Sequence, residues 1–163
     1  DGDFPKDNDF EFDGKSHLEL PRQFAPSAAG QRWLRAEGQF QTQAENGVIL
    51  SHGDDEEGYS VHIQDGKLTF SHRSAGKAAV AQSEETVNDG KPRTFYSFRH
   101  PNGGLMLKLD GKEVGTAKGD GAFLKEPAES IQVGADTAKP VGAYQSPNRF
   151  VGRIWNLEVT YKR

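Results

Sequence analysis

Four consecutive acids, Asp54, Asp55, Glu56 and Glu57, separate two patterned apolar segments in GVILSHGDDEEGYSVHIQDGKLTF (47–70). Clustered carboxylates in a loop are the oxygen donors that calcium prefers. Asp54, Asp55 and Glu57 are therefore candidate metal ligands, and the acids Asp1, Asp3, Asp7, Asp9 and Asp13 near the start could add more. Asp136 is a separate metal candidate. The competing reading is a solvated hairpin tip whose charge discourages edge-to-edge strand pairing. The five histidines are His17, His52, His62, His72 and His100. His52, His62 and His72 fall on successive strand-like runs, so they could meet across a sheet as a general base or a zinc site. The competing reading is partly exposed positions facing water. In YSVHI, His62 shares a side with Ser60 and opposes Tyr59, Val61 and Ile63, so it is expected to point away from the core. That outer side, with His62 and His72, could still form a polar binding surface. Four aromatic residues, Trp33, Tyr96, Tyr144 and Trp155, are candidates for stacking on sugar rings. The chain has no cysteine, which excludes disulfides, thiolate metal sites and a thiol nucleophile.

Whatever positions these side chains is built from strands. Helical periodicity is almost absent, and the best short helix, around Phe24 to Gln31, is interrupted by Pro26 and Gly30. Alternating segments dominate: FEF (10–12), HLEL (17–20), WLRAEGQFQT (33–42), GVILSHG (47–53), YSVHI (59–63) and KLTFSHR (67–73). AAVAQS (78–83), RTFYSFRH (93–100), LMLKL (105–109), EVGTA (113–117), SIQVG (130–134) and FVGRIWNLEVTYK (150–162) follow. Asp-Gly-Lys recurs at 13–15, 65–67, 89–91 and 110–112, and Asp-Gly supplies the positive φ of a type I′ hairpin turn. The irregular spacing argues for independent turns rather than a repeat array. In the last segment Phe150 and Ile154 share one parity while Leu157, Val159 and Tyr161 share the other. This predicts a bulge near Trp155-Asn156, which would leave Trp155 outside.

With 163 residues, 34% apolar, and 19 glycines, the chain fits one all-β domain over 1–163. The expected architecture is a two-sheet antiparallel jelly-roll β-sandwich with its first and last strands paired. A net charge of −4 with no basic stripe argues against nucleic acid as a partner. No apolar run approaches the ~18 residues of a membrane-spanning helix. The chain opens on Asp1 rather than Met, as a processed or trimmed fragment would.

Three ordered stretches resemble the laminin-G and concanavalin-A-like lectin/glucanase superfamily: 47–73, VNDGKPRTFYSFRHPNGGLMLKLDGKEVGTA (87–117) and the closing FVGRIWNLEVTY (150–161). Val133-Gly134-Ala135-Asp136-Thr137, Pro140-Val141 and Tyr144, followed by Phe150, Gly152 and Ile154, is similar to the β-sandwich domain at the C-terminal end of bacterial arylsulfatases. The resemblance implies a concanavalin A-like sandwich acting as a non-catalytic accessory or interaction module of an exported bacterial protein, periplasmic or secreted. Its implied partners are a glycan or a sulfatase-like catalytic domain. The sulfatase pattern Cys/Ser-x-Pro-x-Arg is missing, since Ser146-Pro147-Asn148-Arg149 has the wrong spacing. The alternative function is a small glycoside hydrolase on the same fold, whose Glu-x-Asp-x-x-Glu motif is matched by Glu11 and Asp13 but has Ser16 in third place. No cofactor is implied apart from calcium. Calcium-binding laminin-G domains carry an Asp immediately before the aromatic that leads the second strand of the 47–73 hairpin; that position holds Gly58, with Glu57 and Asp55 near enough to substitute.

Overall fold

A computed structural model describes residues 7–20, 33–119, 127 and 129–162. The short helix expected around Phe24 to Gln31, and Asp1 and Asp3, lie outside the described residues.

Alternation sets each strand's two faces. In β3 (Trp33–Gln41) half-buried and buried residues alternate without exception, with Leu34, Ala36 and Phe40 inside. The same rule holds for β8 (Arg93–Arg99) and β9 (Leu105–Leu109), which bury Phe95, Leu105, Leu107 and Leu109. With β1 (Asp9–Asp13), β10 (Lys112–Ala117) and β12 (Val151–Lys162) they form one sheet in the order β1-β12-β3-β8-β9-β10. The second sheet has the order β2-β11-β4-β5-β6-β7. Its strands are β2 (Leu18–Leu20), β4 (Gly47–Gly53), β5 (Gly58–Gln64), β6 (Lys67–Ser74), β7 (Lys77–Thr86) and β11 (Ile131–Val133). Neighbours pair antiparallel in both sheets. The inner faces close over one apolar cluster that includes Phe40, Phe95, Tyr59, Phe70 and Leu107. The expected all-β jelly-roll sandwich is therefore present.

The expected pairing of first and last strands is also present, with Phe12 opposite Gly152 and Asp9 opposite Trp155. So is the bulge: the β12–β3 register shifts between Trp155 and Glu158, where Asn156 takes a φ of 50°. Asn8 holds it by accepting from Leu157 N at 2.7 Å and donating to Leu157 O at 2.8 Å. Phe150, Ile154, Leu157 and Val159 all reach the core because of that shift.

The Asp-Gly turns divide into two kinds. Asp65-Gly66 and Asp110-Gly111 have positive φ at both residues and close the two-residue hairpins β5–β6 and β9–β10. At Asp13-Gly14 and Asp89-Gly90 only the glycine is positive, and the Asp carboxylate accepts from the N–H of Lys15 or Lys91. FEF and HLEL thus do not form a hairpin around Asp13-Gly14: β1 and β2 belong to different sheets, and the turn carries the chain between them. A third two-residue hairpin, β6–β7, uses Ala75-Gly76, which the Asp-Gly pattern does not reveal.

Candidate functional site

On β3 and β8 the buried partners Leu34 and Phe95 force their neighbours outward. The outer face of the first sheet therefore receives Trp33, Arg35 and Glu37 from β3 and Tyr96 and Phe98 from β8. The register sets Arg35 opposite Phe98 and Glu37 opposite Tyr96. The rings of Trp33 and Phe98 lie 5.7 Å apart at 30°, and those of Tyr96 and Phe98 lie 6.3 Å apart at 11°. His100 extends the row edge-on to Phe98 at 4.8 Å. Cations flank it: Arg35 sits 5.7 Å from the Trp33 ring centre and Lys108 sits 5.4 Å from that of Tyr96. Trp33, Tyr96 and Phe98 are half-buried and His100 is exposed. An aromatic strip edged with Arg35, Glu37, Lys108 and His100 can stack on an apolar ring face and hydrogen-bond to groups around it.

Trp155 lies on the same sheet, opposite Gln39 and Asp9. Arg153 covers its ring at 4.3 Å and is itself held by both carboxylate oxygens of Asp9, at 2.8 and 2.7 Å. That hydrogen-bonded pair also holds the Asp9 carboxyl below the usual carboxylate range. Three of the four aromatic candidates, Trp33, Tyr96 and Trp155, thus share one sheet. The strip adds Phe98, Arg35, His100 and Lys108, which were not among the candidates. The alternation in TFYSFRH already aligns Tyr96, Phe98 and His100. The missing step was the pairing of β8 with β3, some 60 residues earlier in the chain.

The fourth aromatic, Tyr144, is half-buried on the other sheet. Residues 134–149 form a strap from β11 to β12 across the outer face of the second sheet. Ser51 donates to Ala135 O at 2.8 Å and Arg73 to Val141 O at 2.8 Å. Tyr144 Oη donates to Asp136 Oδ2 at 2.5 Å and stands 3.0 Å from Ser60 Oγ. Ser60 Oγ lies 3.3 Å from His62 Nδ1, and the His62 ring meets Tyr144 edge-on at 4.8 Å. Burial raises the Asp136 carboxyl, against the bonds from Tyr144 and Val141, and raises the Tyr144 hydroxyl as well. Asp136 and Tyr144 therefore anchor the strap.

The histidines are not the partly exposed positions expected. His62 does point away from the core, but the strap covers it completely, and burial lowers its pKa to about 4. His72 shares the parity of Leu68 and Phe70, so it lies between the sheets, where Arg99 Nη1 donates to its Nε2 at 3.0 Å. Burial first, then the Arg99 charge, lowers the His72 pKa to about 3. His52 also faces inward, edge-on to Tyr59 at 5.7 Å. His62 and His72 are thus on opposite faces of the second sheet and do not form one polar surface.

The acidic run is the tip of the β4–β5 hairpin. Asp54 Oδ1 accepts from Glu56 N at 2.8 Å and Glu57 N at 3.1 Å, and Glu57 Oε1 accepts from Ala75 N at 3.2 Å. Among the described residues, no three His, Asp or Glu side chains are grouped so as to hold a metal. Of the glycosidase-like acids, Glu11 and Asp13 lie exposed on β1 at the sheet edge, with Asp13 bonded to the turn.

Comparison with known proteins agrees with this architecture. Residues 40–162 match the family described as Laminin G domain. The chain is 33% identical over 156 residues to a "Basement membrane proteoglycan" of Caenorhabditis elegans, covering 91% of this chain. It spans only 5% of the length of that curated relative. Among solved structures, domains LG4-5 of the mouse laminin alpha1 chain superpose with a TM-score of 0.75 at 21% identity, covering 96% of this chain and 42% of that one. The CBM40 of a Ruminococcus gnavus IT-sialidase, solved with alpha2,3 sialyllactose, superposes with a TM-score of 0.77 at 16% identity, covering 97% and 92%. The two structural likenesses establish the fold alone. The matched proteoglycan is a nematode protein and lends no support to a bacterial, sulfatase-linked setting. With most of the sandwich matched, from the end of β3 through β12, the chain belongs to the laminin G domain family.

Proposed function

We propose that this domain is a non-catalytic binding module that holds a glycan on the outer face of its first sheet. The observation that carries the reading is the row Trp33–Phe98–Tyr96, three half-buried rings within 6.3 Å of their neighbours, bordered by Arg35 and Lys108. Sugar C–H faces pack on such rings, while charged and polar groups beside them fix the hydroxyls. The sialyllactose-bound sandwich among the structural neighbours makes a glycan a natural first ligand class to test. Export of the module is part of the same proposal, supported by the relation to a basement membrane proteoglycan. Its narrower form, an accessory domain docked on a sulfatase-like core, rests on the resemblance of 133–154 alone.

A glycan array probed with the whole domain tests the reading. Binding to a defined glycan group is expected, with Trp33→Ala and Tyr96→Ala each weakening it. Stacking contacts of about 0.5–1.5 kcal/mol correspond to a loss of roughly twofold to tenfold each. Binding that both variants leave unchanged would remove the platform from the account, and an array without hits would remove the glycan.

A further inference from the structure

At the tip of the β4–β5 hairpin, calcium-binding laminin-G domains place a ligating Asp, and the residues present here do not fit the ion. The carboxylates of Asp54 and Glu57 already accept main-chain N–H groups. Gly58 stands where a calcium-ligating Asp would be. A Cβ there would lie 2.6 Å from His52 O and 2.9 Å from both N and O of Asp54. All three are main-chain atoms, so a side chain enters only if the hairpin itself shifts.

Opposite Gly58 in the β5–β6 ladder stands Arg73. Its Nε donates to Val141 O at 2.8 Å and its Nη1 to Gly76 O at 3.3 Å. Val141 is held from its other side, its N–H donating to Asp136 Oδ2 at 3.1 Å. Gly76 is likewise held, its N–H donating to Glu56 O at 2.9 Å. One guanidinium thus ties together main-chain carbonyls from the strap and from the β6–β7 turn, beside the acidic tip. Carbonyls drawn from separate loops, near carboxylates, are what a calcium ion gathers. A guanidinium gathers them with fixed N–H directions and a charge that does not dissociate.

We propose that Arg73 is a resident cation that takes the place of calcium at this rim, so that the domain holds its strap without metal. The rim then keeps the same charge and shape whether calcium is present or not, and a ligand arriving there meets a guanidinium rather than an ion.

Thermal unfolding of the whole domain in excess calcium and in EDTA, with hydrogen exchange over 134–149, tests this. The wild type is expected to melt at the same temperature in both solutions. Arg73→Ala is expected to melt lower and to exchange severalfold faster in the strap, equally in both solutions. Arg73→Lys should recover part of the protection, because an ammonium restores the charge without the paired geometry. If Arg73→Ala fails to fold, Arg73→Lys supplies the exchange comparison. A wild-type melting temperature that rises with calcium would overturn the proposal, since a ligand bound to the native state stabilises it. Unchanged strap exchange in the Arg73 variants would overturn it equally. Neither readout involves a glycan, so the result is independent of the array.

Discussion

At the level of single residues, buried polar groups on both faces of the second sheet couple stability to pH. His62 and His72 hold pKa values of about 4 and about 3 in the folded state because both are buried. Unfolding returns them to about 6.5, so the unfolded chain binds more protons as the pH falls below that value. Each histidine then removes roughly 1.4 kcal/mol of stability per pH unit between about pH 6.5 and its folded pKa. Asp136 acts in the opposite sense: its raised carboxyl keeps a proton longer in the folded state, which favours folding as the pH drops through the carboxylate range. The histidine slope begins at higher pH and comes from two groups, so the unfolding free energy should fall from neutrality towards about pH 5. Urea titrations at several pH values check this, and a His62→Gln variant should show a shallower dependence. Tyr144→Phe should cost about 1.5–3 kcal/mol, the range for a hydrogen bond to a charged group. A Tyr144→Phe protein as stable as wild type would remove the strap anchor. The parity of His62 was legible in YSVHI, but its burial was not. The cover comes from residues 134–149, and no local pattern in β5 records it. His72 was legible too, since KLTFSHR sets it beside Leu68 and Phe70, but only if the alternation is followed through the polar residues.

At the level of elements, turns and bulges carry the sequence signal best where backbone conformation is demanding. Asp65-Gly66 and Asp110-Gly111 were readable because two consecutive positive φ angles select those residues. Ala75-Gly76 was not, because its alanine at a φ of 51° carries no such signature. Replacing Ala75 with Asn, which tolerates the left-handed region, should raise the melting temperature, as calorimetry can show. The bulge in β12 was legible from the parity switch between Ile154 and Leu157. Its clamp, Asn8, was not, because it lies about 150 residues away in the chain. Asn8→Ala leaves Leu157 N and O without that partner inside the fold and should cost about 1–3 kcal/mol in denaturant unfolding. The four Asp-Gly-Lys triplets were legible as turns. That two of them, at 13–15 and 89–91, lie where the chain switches between sheets depends on what β1, β2, β7 and β8 pair with, which is a property of the whole sandwich.

At the level of the whole molecule, the jelly-roll order follows from many alternating strands that must each bury one face, and that much was written in the chain. The binding face was written only in part. Trp33 and Tyr96 stood out as residue types, yet Phe98 joins them through the β3–β8 register, and a pairing between distant strands has no local mark. The proposed glycan site is this face, and not the strap-covered face of the second sheet. It is tested most directly by NMR, titrating the domain with a glycan selected on the array and mapping the shifted amides. The largest shifts are expected to cluster on Trp33, Arg35, Tyr96, Phe98 and Lys108. Shifts confined to 134–149 and the strands beneath it, with those residues unmoved, would contradict it.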